Sequence, residues 1–112
     1  MKKIEAIIRP EKLEELREAL DAKGFSGMTV TEVKGRGAQK GVVLEWRVGE
    51  YKVEFLPKIK LELVILDKDV DMIVDTICSV CSTGSIGDGK VFVSDISYVV
   101  RIRTRETGVP AI

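Results

Sequence analysis

At 112 residues the chain has the size of one domain and leaves no room for separate cofactor and substrate domains. Apolar residues make up 45% and charged ones 32%, a globular composition, and 18 Lys and Arg balance 18 Asp and Glu. No global field therefore draws in a polyanion or an anionic membrane, so any anion site is local; with no histidine, the commonest general base, the Ser-His-Asp and Cys-His systems and every histidine metal site are excluded.

Lys2 to Arg9 is a short apolar-rich segment stopped by Pro10 and reads as a first strand. Glu5 and Arg9 interrupt its apolar run, so neither a signal peptide nor a spanning helix is expected there, and a cytoplasmic location is expected. From Glu11 to Lys23, Leu13, Leu16, Ala19 and Leu20 recur at helical spacing, and Gly24 follows as a residue favoured just past a helix end. Met28 to Lys34 is rich in β-branched residues and reads as a second strand, closed by Gly35-Arg36-Gly37.

The stretch from Gly37 to Leu56 is long for a connection inside a compact domain. Trp46, Val48, Tyr51, Val53 and Phe55 alternate with Arg47, Glu50 and Lys52 about Gly49, which suits a hairpin. Its tip would present Trp, Tyr and Arg, the residue types that dominate interface hot spots. A partner-reading loop is thus set against a buried hairpin that extends the sheet.

Ile59 to Leu66 alternates Ile59, Leu61, Leu63 and Ile65 with Lys60, Glu62 and Val64, a strand with one core face. Asp67 to Cys81 opens with acids suited to a helix N-terminus and carries Val70, Ile73, Val74, Ile77, Cys78 and Cys81 on one stripe. Those cysteines read as small hydrophobes, not as a metal or redox pair. Val91 to Val93 and Tyr98 to Arg103 resume strand character. The order predicts a single α+β domain over 1–112, a ferredoxin-like βαββαβ sandwich with a long insertion between strands 2 and 3.

Two places could hold an anion. Thr83-Gly84-Ser85-Ile86-Gly87-Asp88-Gly89-Lys90 has three glycines that let backbone N–H groups turn toward a ligand. It spells GxxxxGK from Gly84, but Val91 replaces the Ser or Thr of a P-loop, and the element before it is a helix. Arg101 and Arg103, two apart on the expected last strand, would project from one face, and a fold bringing them to the Lys90 loop would gather three cations for a polyphosphate.

The chain as a whole resembles the PII signal-transduction protein family. The likeness runs through the opening Met1 to Pro10, Gly27 to Val30, Glu32 to Gly35, Phe55 to Lys58, Thr83 to Ile96 and Val99 to Thr104. It implies a homotrimer that binds ATP or ADP between subunits and senses 2-oxoglutarate with Mg-ATP, acting as a nitrogen and energy sensor and not as an enzyme. Thr29, Gly35, Gly37, Glu62, Val64, Gly87, Asp88, Gly89, Lys90, Arg101 and Arg103 match nucleotide-binding positions. Gln39 matches a residue that holds Mg²⁺ and 2-oxoglutarate, and Lys58 one that pairs with the oxoacid. The 37–56 loop matches the target-binding loop, with Trp46, Arg47 and Tyr51 in it; Arg47 matches an arginine that enters the mouth of an ammonium transporter, and Tyr51 a modifiable tyrosine. Residues 82–90 match the phosphate loop and 104–112 a C-terminal tail. Other targets implied are nitrogenase and glutamine synthetase, and slow ATP hydrolysis is the enzymatic alternative. Ala38 and Ser82 replace basic residues common in the family, and the residues flanking Tyr51 depart from its nucleotidylation pattern.

Overall fold

The computed structural model describes residues 1–37 and 55–112. The strands are β1 (Lys2–Ile8), β2 (Thr29–Gly35), β3 (Leu56–Ile65) and β4 (Lys90–Asp95), and the helices are α1 (Leu13–Ala22) and α2 (Val70–Cys81). One four-stranded sheet has the order β2-β3-β1-β4 with every neighbouring pair antiparallel, the ferredoxin-like arrangement the sequence order predicts.

The alternation in β1 and β3 decides which face the helices cover. Ile4, Ala6 and Ile8 point to the same side as Leu63, Leu61 and Ile59, their cross-strand partners, and all six are buried. Leu16 and Leu20 of α1 and Ile73, Ile77 and Cys81 of α2 close over them. Each fully buried Leu or Ile contributes about 1.5–3 kcal/mol of transfer free energy, so this layer dominates the stability of the fold. On the solvent side of α1, Arg17 bridges Glu14 at 2.7 Å and Asp21 at 2.9 Å. Helix α1 ends where Gly24 turns to φ +88°, a conformation that favours glycine.

The other face of the sheet carries Lys3, Glu5 and Ile7 from β1 and Lys58, Lys60, Glu62 and Val64 from β3, and among the described residues no helix covers it. Its register follows from the pairs Lys3↔Val64, Glu5↔Glu62 and Ile7↔Lys60. Lys90 opposes Ile7 and Phe92 opposes Glu5, so both join the uncovered face.

Several boundaries differ from the sequence reading, β4 among them, which runs Lys90–Asp95 and not Val91 to Val93. Pro10–Lys12 and Asp67–Asp69 are 3-10 turns that lead into the helices, which therefore begin at Leu13 and Val70. Strand β3 starts at Leu56, opposite Gly35, so Leu56 belongs to the sheet and not to the insertion. The larger correction is Tyr98 to Arg103, which is not a strand. Only Val100 pairs, in a single antiparallel bridge with Thr107, because the chain reverses between them. Arg105 sits at φ +63° in that reversal, with its amide on the Arg101 carbonyl at 2.8 Å. The alternating Tyr98, Val100 and Ile102 find no strand to pair with among the described residues; Ile102 is 96% exposed.

Candidate functional site

Helix α2 ends at Cys81, with the Ser82 amide still bonded to the Cys78 carbonyl at 3.1 Å. The loop that follows begins at a helix C-terminus, the negative end of the helix dipole. A P-loop has the opposite polarity, so an anion here depends on side-chain cations and freed amides.

Glycines bend this loop. Gly84, Gly87 and Gly89 have φ of +82°, +102° and +102°. At Gly89 there is no choice of residue: an added Cβ would lie 1.7 Å from the Ile7 carbonyl oxygen. The loop therefore presses directly on the end of β1 before entering β4.

Asp88 organises the loop from within. Its carboxylate accepts the Thr83 amide at 2.7 Å, the Gly84 amide at 3.1 Å, the Thr83 hydroxyl at 2.5 Å and Arg9 Nε at 3.2 Å. The Thr83 hydroxyl and amide, with Arg9 and the Gly84 amide, hold this carboxyl well below the usual carboxylate range. Arg9 also donates through Nη2 to the Ile86 carbonyl at 2.8 Å, and Lys58 donates through Nζ to the Gly87 carbonyl at 2.7 Å. Burial, and then the neighbouring Arg9, push the Lys58 ammonium below the ordinary lysine range. The amides of Gly87, Asp88 and Gly89 have no partner among the described residues, and Lys90 makes no ion pair among them. Consecutive unpaired amides beside Arg9, Lys58 and Lys90 are suited to phosphoryl oxygens.

A second feature lies further along the uncovered face. Lys3, Gly27, Met28, Thr29, Glu62, Leu63 and Val64 line a surface cleft of about 280 Å³. Thr29 and Glu62 are cross-strand partners, and the Glu62 carboxylate is held by Lys3 at 2.8 Å, which lowers its pKa. Glu62 is four residues beyond Lys58 on β3, so the cleft stands about 13 Å from the end of the sheet that carries the 82–90 loop.

The expected residues are thus gathered unevenly. Thr29, Glu62 and Val64 share the cleft; Lys58, Gly87 and Asp88 meet at the loop, with Gly89 and Lys90 next in line. Gly35 abuts the Lys58 stem, where an added Cβ would meet Cγ at 3.4 Å. Arg36 stacks over Phe55 at 5.6 Å, joining the two ends of the insertion beside Gly37. Arg101 and Arg103 do not join this group through a strand. They lie in the 101–104 turn, where Arg101 holds Glu106 at 3.0 Å, and no hydrogen bond or ion pair among the described residues ties either to residues 82–90. Ala38, Gln39, Trp46, Arg47 and Tyr51 lie outside the described residues. Arg9 was missed as a site residue. Its signal was a cation placed between the end of an apolar strand and a proline, where the side chain must leave the sheet.

Comparison with known proteins covers nearly the whole chain. The model of the family described as "Nitrogen regulatory protein P-II" matches residues 1–106. "Nitrogen regulatory protein P-II 2" of Methanothermobacter thermautotrophicus is 55% identical over 112 residues, 100% of this chain and 97% of the relative. "Nitrogen regulatory protein P-II" of Klebsiella oxytoca is 58% identical over 106 residues, 95% of each chain, and that of Rhizobium meliloti is 54% identical over 112 residues, 100% of each.

Proposed function

Since the chain belongs to the nitrogen regulatory protein P-II family, we propose that it senses adenylate, ATP or ADP, and 2-oxoglutarate, and passes their status to a nitrogen-metabolism target. The observation that supports this best is the row of Gly87, Asp88 and Gly89 amides, unpaired among the described residues, beside Lys90, Lys58 and Arg9. Amides without a protein partner can donate to a ligand, and phosphoryl oxygens accept such bonds. Thr29, Glu62 and Val64 would hold the base and ribose in the cleft along β3. Gly35 and Gly37 would lie beside the nucleotide.

Lys58 would take the oxoacid's carboxylate in exchange for the Gly87 carbonyl, and Gln39, a hard oxygen donor, would help to hold Mg²⁺. The cation would supply charge neutralisation between phosphates and oxoacid. Arg101 and Arg103 would reach the phosphates from a neighbouring copy in a homotrimer, which accounts for their separation from the loop of their own chain.

The output would be the insertion between β2 and β3, through Trp46, Arg47 and Tyr51, with an ammonium transporter as the foremost target and Tyr51 as a modification site. None of the described helices is long and apolar enough to cross a membrane, so contact with a transporter would be peripheral. Calorimetric titration with ATP, with ADP, and with ATP plus Mg²⁺ and 2-oxoglutarate tests the reading. A gain in ATP affinity of about fivefold or more on adding the oxoacid is expected, equivalent to roughly 1 kcal/mol of coupling. Absence of binding by either nucleotide would overturn it; nucleotide binding without an oxoacid effect would leave a sensor of adenylate alone.

A further inference from the structure

In an anion-binding loop, a carboxylate is the residue that needs explaining. Asp88 lies between Gly87 and Gly89, where its charge would oppose a phosphate at close range. Its side chain, however, turns back into the loop and accepts four hydrogen bonds, two of them from the Thr83 and Gly84 amides. We propose that Asp88 is a positioning residue, an internal anion that fills the first half of the loop so that the second half, Gly87 to Lys90, receives the ligand's phosphates. This inference rests on the reading of residues 82–90 as a phosphate loop.

Three observations carry it. First, the amides divide cleanly. Thr83 and Gly84 donate to Asp88 and Ser85 donates to the Thr83 hydroxyl at 3.2 Å, whereas Gly87, Asp88 and Gly89 have no partner among the described residues. The Ile86 amide likewise has no partner among the described residues, so the unpaired donors all lie from Ile86 onward, on the side of the loop that a ligand anion would meet.

Second, the first set stands at the C-terminus of α2, where the helix dipole disfavours a free anion. A tethered carboxylate pays no association entropy and can hold that place, while a diffusing phosphate must also overcome that entropy. Third, Arg9 fixes the arrangement. Its guanidinium holds Asp88 at 3.2 Å and the Ile86 carbonyl at 2.8 Å, and lies close enough under Gly87 that an added Cβ would meet Nη2 at 3.2 Å. Arg9 thus neutralises Asp88 on the protein side, leaving Lys58 and Lys90 to face a ligand.

Amide hydrogen exchange resolved by residue, together with ATP titration of full-length wild-type, Asp88→Ala and Asp88→Asn proteins, tests the assignment. In wild type without nucleotide, the Thr83 and Gly84 amides are expected to be protected and those of Gly87 and Gly89 to exchange freely, gaining protection only with ATP. Asp88→Ala is expected to expose Thr83 and Gly84 and to weaken ATP binding about tenfold, and Asp88→Asn, which keeps an oxygen acceptor, to recover part of both. Thr83 and Gly84 amides that become protected only on adding ATP would overturn the proposal, as would ATP binding that is unchanged or tighter in Asp88→Ala. Should both variants fail to fold, the wild-type exchange pattern decides alone. Failure of the underlying reading would look different: wild-type protein binding neither ATP nor ADP.

Discussion

Gly87 and Gly89 share a backbone conformation, both at φ +102°, yet the structure separates their roles. An alanine at either position takes on the strain of a left-handed conformation, about 1–2 kcal/mol. At Gly87 the new methyl would meet the flexible tip of Arg9 at 3.2 Å, which can move aside. At Gly89 it would meet the Ile7 carbonyl oxygen at 1.7 Å, backbone against backbone, so β4 must shift off β1. Gly89→Ala is therefore expected to lower the melting temperature by about 8 °C or more, and Gly87→Ala by about half as much. Parallel thermal melts check this, and equal shifts would show that conformational strain alone, not the close approach, sets the cost. The sequence shows three glycines and a lysine in one loop, which is enough to suspect an anion site. It does not show which glycine is crowded or which way Asp88 turns, because both depend on where β1 ends and on Arg9, some eighty positions away in the chain.

Among the elements, the two helices and the paired strands were legible because each carries its own period. Leu16 and Leu20, or Ile73 and Ile77, mark a buried stripe whatever lies opposite. The segment from Tyr98 to Arg103 has an equally clear alternation and is not a strand, since alternation describes a side-chain pattern and pairing needs a neighbour. With Val100 bridged only to Thr107, the pattern of Tyr98, Val100 and Ile102 has no counterpart among the described residues. The stripe of α2 gives a chemical test of its own. Cys81 is buried in the core, where burial pushes its thiol up to about 11, whereas Cys78 is exposed on the same helix. A disulfide reagent at about pH 8 is expected to titrate Cys78 alone in the native protein and both cysteines in denaturant. Reaction of both thiols at one rate in native protein would mean that the C-terminal turn of α2 opens readily, and with it the anchor of the 82–90 loop.

At the scale of the molecule, the unpaired features fall together. The sheet has one face without helices, and beyond β4 the chain exposes Tyr98, Val100 and Ile102 at 68%, 45% and 96%. Exposed apolar residues in sequence, next to an uncovered sheet, mark a surface that another copy can bury. The same segment carries Arg101, which in its own chain meets Glu106, and Arg103, and among the described residues neither is hydrogen-bonded or ion-paired to the 82–90 loop. If assembly brings the arginines of one copy to the loop of the next, two defective chains can complement each other. Lys90→Ala chains lack a loop cation, and Arg101→Ala chains lack the arginine. Each alone is expected to bind ATP weakly. If the assembly is the proposed trimer, then after reassembly from an equal mixture a site would be intact wherever a loop from the second variant meets an arginine from the first. Random assembly makes that about one site in four. Calorimetry of the mixture would then show a tight-binding fraction near that value, absent from either variant alone. A site built within one chain gives no such fraction, because every chain in the mixture still carries one of the two defects.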